Sequence, residues 1–203
     1  MSETHPRGNF QKHTSRNPLQ QFLLRRFKKV ISGLVKNIPG DLCEVGCGEG
    51  FMLKNLWDQG LLDGRRIYGA ELDESAVQYA ASQVPGARFV RANAYRLPFA
   101  DKQFSCSMLL EVLEHLEQPQ KALAEICRIS RYAILSVPHE PFFQAANFLR
   151  GKNLKQWGND PEHIQHWNPK SFRRLVEPFG SILHVACPFP WIIVLVQTQP
   201  PSK

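Results

Sequence analysis

Residues 42–50 read Leu42-Cys43-Glu44-Val45-Gly46-Cys47-Gly48-Glu49-Gly50. A short apolar strand runs into a turn with glycine at every second position. Glycine lacks a Cβ, so such a turn admits positive φ and lets a ligand approach the backbone. In α/β sheets ligands bind at the carboxyl ends of strands, near the switch in strand order. The spacing narrows the ligand. Dinucleotide loops use G-x-G-x-x-G to bring a pyrophosphate to a helix N-terminus. Here Gly46, Gly48 and Gly50 give G-x-G-x-G, Phe51 follows, and no phosphate-loop lysine comes after. The turn suits a cofactor with a carboxypropyl tail and no phosphate, and it disfavours a nicotinamide-dependent dehydrogenase.

Working outward, the segment Tyr68-Gly69-Ala70-Glu71-Leu72-Asp73 ends a second strand on an acid 27 positions after Glu44. A carboxylate there can accept from both hydroxyls of a ribose; capping of the following helix is its local alternative. Strand and helix patterns alternate along the chain. Strands are predicted at 42–45, 66–71, 88–91, 104–110, 132–137, 182–186 and 191–197. Helices are predicted at 51–57, 74–83, 119–127 and 170–177. Alternation of this kind implies a mostly parallel sheet with helices on both faces. The last two strands, joined through Pro188 and Pro190, read as an antiparallel hairpin at the sheet edge. Upstream, Asn17-Pro18 is a helix start, and apolar residues from Leu19 to Ile38 recur at the helical period until Pro39-Gly40. This amphipathic helix is expected to pack on the domain beside the site, with a membrane-surface role as the alternative. The organisation is therefore a disordered basic tail at 1–16, an N-terminal amphipathic helix at 17–38 and one domain at 39–203.

The chain has 203 residues, enough for one sizeable core, and a net charge of +7. Residues 1–36 hold eight Lys or Arg against Glu3 alone, while the remainder balances at 17 of each sign. A basic arm can steer an anionic substrate, touch RNA or rest on an anionic membrane. The N-terminus lacks the apolar stretch of a secretory signal, and no apolar run is long enough to span a bilayer. The five cysteines show no metal-type pair. They read as reduced thiols of a cytoplasmic protein.

Taken with Leu97-Pro98-Phe99 and Glu111-Val112-Leu113-Glu114-His115-Leu116, these motifs resemble the class I S-adenosylmethionine-dependent methyltransferase family. More narrowly they resemble its small ubiquinone and menaquinone biosynthesis-like branch. The resemblance covers about residues 40–197. It implies a Rossmann-like three-layer α/β sandwich on a seven-stranded sheet with the last strand antiparallel. It implies S-adenosylmethionine (product S-adenosylhomocysteine) held by Glu44, Gly46, Cys47 and Gly48 at the methionine end and by Glu71, with Leu72 after it, at the ribose. Glu111 is placed near the amino group or carboxypropyl side. The family's adenine-contacting Asp-Ala pair is replaced by Asn93-Ala94; the amide oxygen can still accept a hydrogen bond, but the charge is lost. Some RNA-terminal methyltransferases with a similar Glu-x-x-Glu-His run bind a metal. Glu111, Glu114 and His115, with His163 or His166, would be the equivalents, but adjacent polar residues at a helix start usually cap or stay solvated, so no metal is assigned.

The long connection from the strand at 132–137 to the helix at 170–177 is expected to carry acceptor recognition. His115, His139, Phe142, His163, His166 and Trp167 are the candidate pocket residues, with His139 or His163 as base for a hydroxyl acceptor. The function expected is methyl transfer to an O or N, with a carbon acceptor left open, of a small-molecule, lipid or glycan substrate. Basic residues nearby suit an anionic one. A methyltransferase acting on RNA or protein, and a non-catalytic cofactor-binding partner or sensor, are the alternatives. Nucleic acid is not favoured, and peripheral membrane contact is left open.

Overall fold

The computed structural model describes residues 14–140 and 164–199. Of the expected tail, residues 1–13 lie outside the described residues. Helix α1 spans Pro18–Lys36. Asn17 caps it by accepting from the backbone N–H groups of Leu19 and Gln20, with Pro18 at the first turn. The helix stops two residues short of Ile38. Pro39 explains this: it has no N–H to donate to the Val35 carbonyl, which accepts instead from the Ile38 N–H (3.1 Å) and the Arg65 guanidinium (3.2 Å).

The alternating part follows as β1 (Leu42–Val45), α2 (Phe51–Asp58), β2 (Ile67–Glu71), α3 (Glu74–Gln83), β3 (Ala87–Arg91), β4 (Phe104–Leu110), α4 (Pro119–Ile129) and β5 (Ser130–Pro138). After residue 164 come α5 (Pro169–Val176), β6 (Gly180–Ala186) and β7 (Trp191–Thr198). Short 3-10 turns stand at Leu113–His115 and Glu177–Phe179. The strands form one seven-stranded sheet in the order β3-β2-β1-β4-β5-β7-β6. Only β7 runs antiparallel, inserted between β5 and β6, so the final hairpin places β6 at the edge. The turn between them contains the cis Phe189–Pro190 bond.

Strand alternation sends side chains to two apolar layers. On one face Cys43, Val45, Leu109, Leu135 and Val194 pack with Leu123 and Ile126 of α4 and Phe172 of α5. On the other, Leu42, Cys106, Met108, Ile134 and Ile193 pack with Leu53 and Leu56 of α2 and Phe27, Ile31 and Val35 of α1. The N-terminal helix is thus part of the domain, with the Phe27 ring 4.9 Å from that of Trp191. The register pairs Val45 with Ala70 on one side and Leu109 on the other, so three strands end level. The chain reverses its direction of strand addition between β1 and β4, and the crevice outside those carboxyl ends is where ligands enter such sheets.

Candidate active site

The glycine turn leaves β1 at this crevice. Gly46, Gly48 and Gly50 have φ of 69°, 50° and 75°. Gly46 and Cys47 donate their N–H groups to the Ala70 carbonyl at 2.8 and 3.2 Å. A Cβ on Gly46 would lie 2.3 Å from Cγ2 of Val112. The glycine therefore serves both positive φ and the close approach of the segment after β4.

Glu71 closes the turn from the next strand. Its Oε2 accepts from the Gly48 N–H at 3.0 Å, and its Oε1 accepts from the N–H groups of Leu72 (2.7 Å) and Asp73 (3.0 Å). Capping of α3 falls to Asp73, which accepts from the Ala76 N–H. Three backbone donors thus fix the Glu71 carboxylate while lone-pair capacity remains on it, and Leu72 beside it is exposed. Asn93 is exposed, and its side-chain oxygen accepts from the Tyr95 N–H at 2.9 Å; Ala94 is half-buried.

Two further carboxylates flank the turn. Glu44 is 4% exposed on β1. The Leu53 backbone in the first turn of α2 donates to it, yet its Oε2 has no hydrogen-bond partner among the described residues. Burial pushes its carboxyl up to about 8, with the nearby Glu71 charge adding to the rise. Glu111, just past β4, is a non-glycine residue at φ 57°. Its N–H donates to the Ser136 carbonyl and hydroxyl, and its Oε1 accepts from the Ser136 hydroxyl at 3.2 Å. Its Oε2 accepts from the Trp191 indole N–H at 2.6 Å. Strained backbone of this kind persists only where the surroundings hold it.

The mouth is framed by β5 and the segment entering α5. His139 pairs with Trp167 in an isolated bridge, its N–H donating to the Pro190 carbonyl at 2.8 Å. Burial draws the His139 imidazole below its usual value, with Glu140 opposing, so near neutral pH the ring is a proton acceptor. His166 places Nδ1 3.8 Å from the buried Glu140 carboxylate. His115 is exposed at the end of its 3-10 turn, and the buried Glu114 beside it accepts, through its carbonyl, the N–H groups of Ile164 and Gln165. Trp167 turns inward, 8% exposed, its ring 5.8 Å from that of Phe172. That packing joins it to the apolar layer under the segment. Phe142 and His163 lie outside the described residues. Glu111, Glu114 and His115 are not gathered: Glu111 is turned to Ser136 and Trp191, and among the described residues no cluster of three or more His, Cys, Asp or Glu is placed to hold a metal ion.

Sequence reasoning missed Ser136 and Trp191, which orient Glu111, and a clamp on the loop after β3. Glu125 of α4 accepts from the Leu97 N–H at 2.7 Å, while Arg128 donates to the carbonyls of Phe99 (2.6 Å) and Leu97 (3.0 Å) and to Glu125. A Glu and an Arg three apart on a helix, downstream of Leu97-Pro98-Phe99, was the available signal. The donor set suits S-adenosylmethionine: a buried carboxylate oxygen lacking a donor matches an ammonium, and Glu71 matches adjacent ribose hydroxyls. Nothing in the turn demands a phosphate.

Comparison with known proteins agrees. A methyltransferase domain family matches residues 43–132. A Mycolicibacterium smegmatis protein named "Probable S-adenosylmethionine-dependent methyltransferase" is 25% identical over 165 residues, 79% of this chain and 60% of that protein. A demethylmenaquinone methyltransferase of Renibacterium salmoninarum is 26% identical over 108 residues, 53% of this chain and 44% of that one. The chain spans about 60% of the length of the first curated relatives it matches. Magnesium protoporphyrin IX methyltransferase from Synechocystis PCC 6803, solved with bound S-adenosylhomocysteine, superposes with a TM-score of 0.68 at 17% identity and covers 96% of each chain. That likeness speaks for the fold alone. The glycine turn and the strand order agree with the family match, so this chain is similar to the class I S-adenosylmethionine-dependent methyltransferases over residues 43–132 and shares their fold.

Proposed function

We propose that this chain transfers the methyl group of S-adenosylmethionine to an oxygen or nitrogen of a small-molecule, lipid or glycan acceptor. We place it in the branch that resembles ubiquinone and menaquinone biosynthesis enzymes, acting in the cytoplasm. The observation that carries the reading is the bridge from Glu71 to the Gly48 N–H at the switch point, with Glu44 and Glu111 beside it. When bound, the cofactor supplies a methyl already activated by a positive sulfur. The chain's own task is then alignment and exclusion of water. Glu71 orients the ribose, Glu44 and Glu111 pair with the ammonium, and the Leu97–Phe99 loop walls the adenine. For a hydroxyl acceptor His139 takes the proton as the new C–O bond forms and the C–S bond breaks. The four buried cysteines, none in a disulfide, support a reducing compartment. No described helix is long and apolar enough to cross a membrane.

Calorimetry with S-adenosylmethionine and S-adenosylhomocysteine tests the binding half: both bind the intact chain, and Glu71→Ala loses both. Release of S-adenosylhomocysteine on addition of an acceptor panel tests the chemistry, and His139→Gln lowers the rate without weakening cofactor binding. Binding with no product from any hydroxyl, amine or lipid acceptor would leave a non-catalytic sensor as the better account. Product appearing only with RNA or protein would replace the acceptor class.

A further inference from the structure

We propose that the outward face of α1 is a docking surface for an anionic lipid bilayer, which would set the mouth of the site against the membrane. The proposal stands apart from methyl transfer and is tested without it. The inward face of α1 is already used: Leu23, Leu24, Phe27, Ile31 and Val35 are buried. Turning by 100° per residue, the opposite face carries Leu19, Phe22, Arg25, Arg26, Lys29 and Lys36, all exposed. The helix contains no acid at all. None of these four cations makes an ion pair with a carboxylate among the described residues. Arg26 lies over the Phe22 ring, 5.9 Å from its centroid, so an aromatic ring and a cation are presented together.

Charge in this chain is segregated. Residues 1–36 hold the whole positive excess and the rest is balanced. A solvated helix needs no such asymmetry, whereas an anionic surface rewards it. The apolar content decides between anionic partners. Leu19 and Phe22 are 57% and 49% exposed at the N-terminal end of the helix. That end rises to the carboxyl edge of the sheet, since Phe27 packs on Trp191 at the start of β7. Two more exposed apolar side chains stand at that edge, Phe189 in the β6–β7 turn and Ile164 beside Glu114, at 41% and 51%. A rim of apolar tips backed by cations fits a headgroup region with acyl chains beneath it. Against nucleic acid the aliphatic tips would have nothing to contact.

The experiment is co-sedimentation of the full chain with vesicles of phosphatidylcholine alone, and of phosphatidylcholine with an equal part of phosphatidylglycerol. Binding is expected only to the second. Each exposed cation is worth roughly five-fold in partitioning near an anionic surface, so Arg25→Glu with Arg26→Glu lowers binding by at least about 25-fold. Phe22→Ser lowers it by about five-fold, the worth of burying half a Phe ring. Both variants alter outward side chains, and an unchanged thermal midpoint verifies the fold. Three outcomes overturn the proposal. One is no binding to anionic vesicles, and another is equal binding to neutral ones. The third is a loss caused by the charge change but not by Phe22→Ser, with single-stranded RNA displacing the vesicles, which would mark the face as a polyanion site.

Discussion

Glu44 offers a sharp quantitative test of the site. Its folded carboxyl titrates near 8 because it is buried, with one oxygen lacking a partner among the described residues. At pH 7 it is therefore about nine-tenths protonated in the free protein. Pairing with an ammonium returns it toward the ordinary range near 4.3, releasing about 0.9 proton. The α-amino group of S-adenosylhomocysteine is that of a free amino acid, more basic than a chain N-terminus because a carboxylate and not an amide adjoins it, so it is already a cation at pH 7 and takes up no proton there. The net is a release of roughly 0.9 proton at pH 7. At pH 9 Glu44 is already ionised, so its release falls to roughly 0.1 proton and uptake on the amine opposes it. Calorimetry of S-adenosylhomocysteine binding in phosphate and in Tris, at the two pH values, reads proton exchange from the buffer dependence of the heat. In Glu44→Gln the release at pH 7 is lost. Buffer-independent heat at pH 7, or a Gln variant that still releases protons, would refute the assignment. The same shift bears on stability. Glu44 has a folded value above its unfolded one, so its contribution is fully present below the unfolded value and is lost as pH rises from there toward about 8. The loss is up to about 1.4 kcal/mol per pH unit across that window. In urea titrations at pH 8, Glu44→Gln is expected to be more stable than the parent.

Other residues make separate predictions. Trp191→Phe keeps the ring against Phe27 but deletes the donor to Glu111. A hydrogen bond to a charged group is worth about 2 kcal/mol, so denaturant titration should show a loss of that order and calorimetry a weaker hold on cofactor. Equal affinity would separate Glu111 from the ligand. Gly46→Ala must accept φ of 69° and a Cβ 2.3 Å from Val112 Cγ2. The left-handed cost is about 1–2 kcal/mol and overpacking about 1–3. Adding Val112→Ala should relieve the clash and leave the backbone cost, as a double-mutant cycle in urea would reveal. Arg128→Met frees the carbonyls of Leu97 and Phe99 and should raise the Kd for S-adenosylhomocysteine. Arg128→Lys should fail to restore it, because a point charge cannot span both carbonyls and Glu125. Full rescue by Lys would reduce the clamp to simple charge.

Much of this molecule was legible from local pattern. The strand and glycine turn at 42–50, the acid at 71 and the cap pair Asn17-Pro18 are short-range signals, and the structure uses each of them. Helix α3 spans 74–83 as expected. Strand ends drifted more: β5 starts at Ser130, not Tyr132, because Phe104 of β4 pairs with Ser130 and extends the ladder. An amphipathic period also showed that α1 would bury one face, although not against what.

Tertiary structure alone decided the chemistry of the site. The Trp191–Glu111 hydrogen bond spans 80 positions, and nothing near Trp191 in the chain announces it. Whether Glu44 would be a solvated or a strained carboxylate depended on α1 and α2 covering that face of β1. The spacing reads Gly46 as serving a ligand, and Val112 also requires it to be bare. Periodicity and capping arise from neighbours within a turn or a pleat, so a sequence displays them. Burial and cross-strand hydrogen bonding depend on strand order and register, which place residues far apart in the chain side by side, and no local window contains that information.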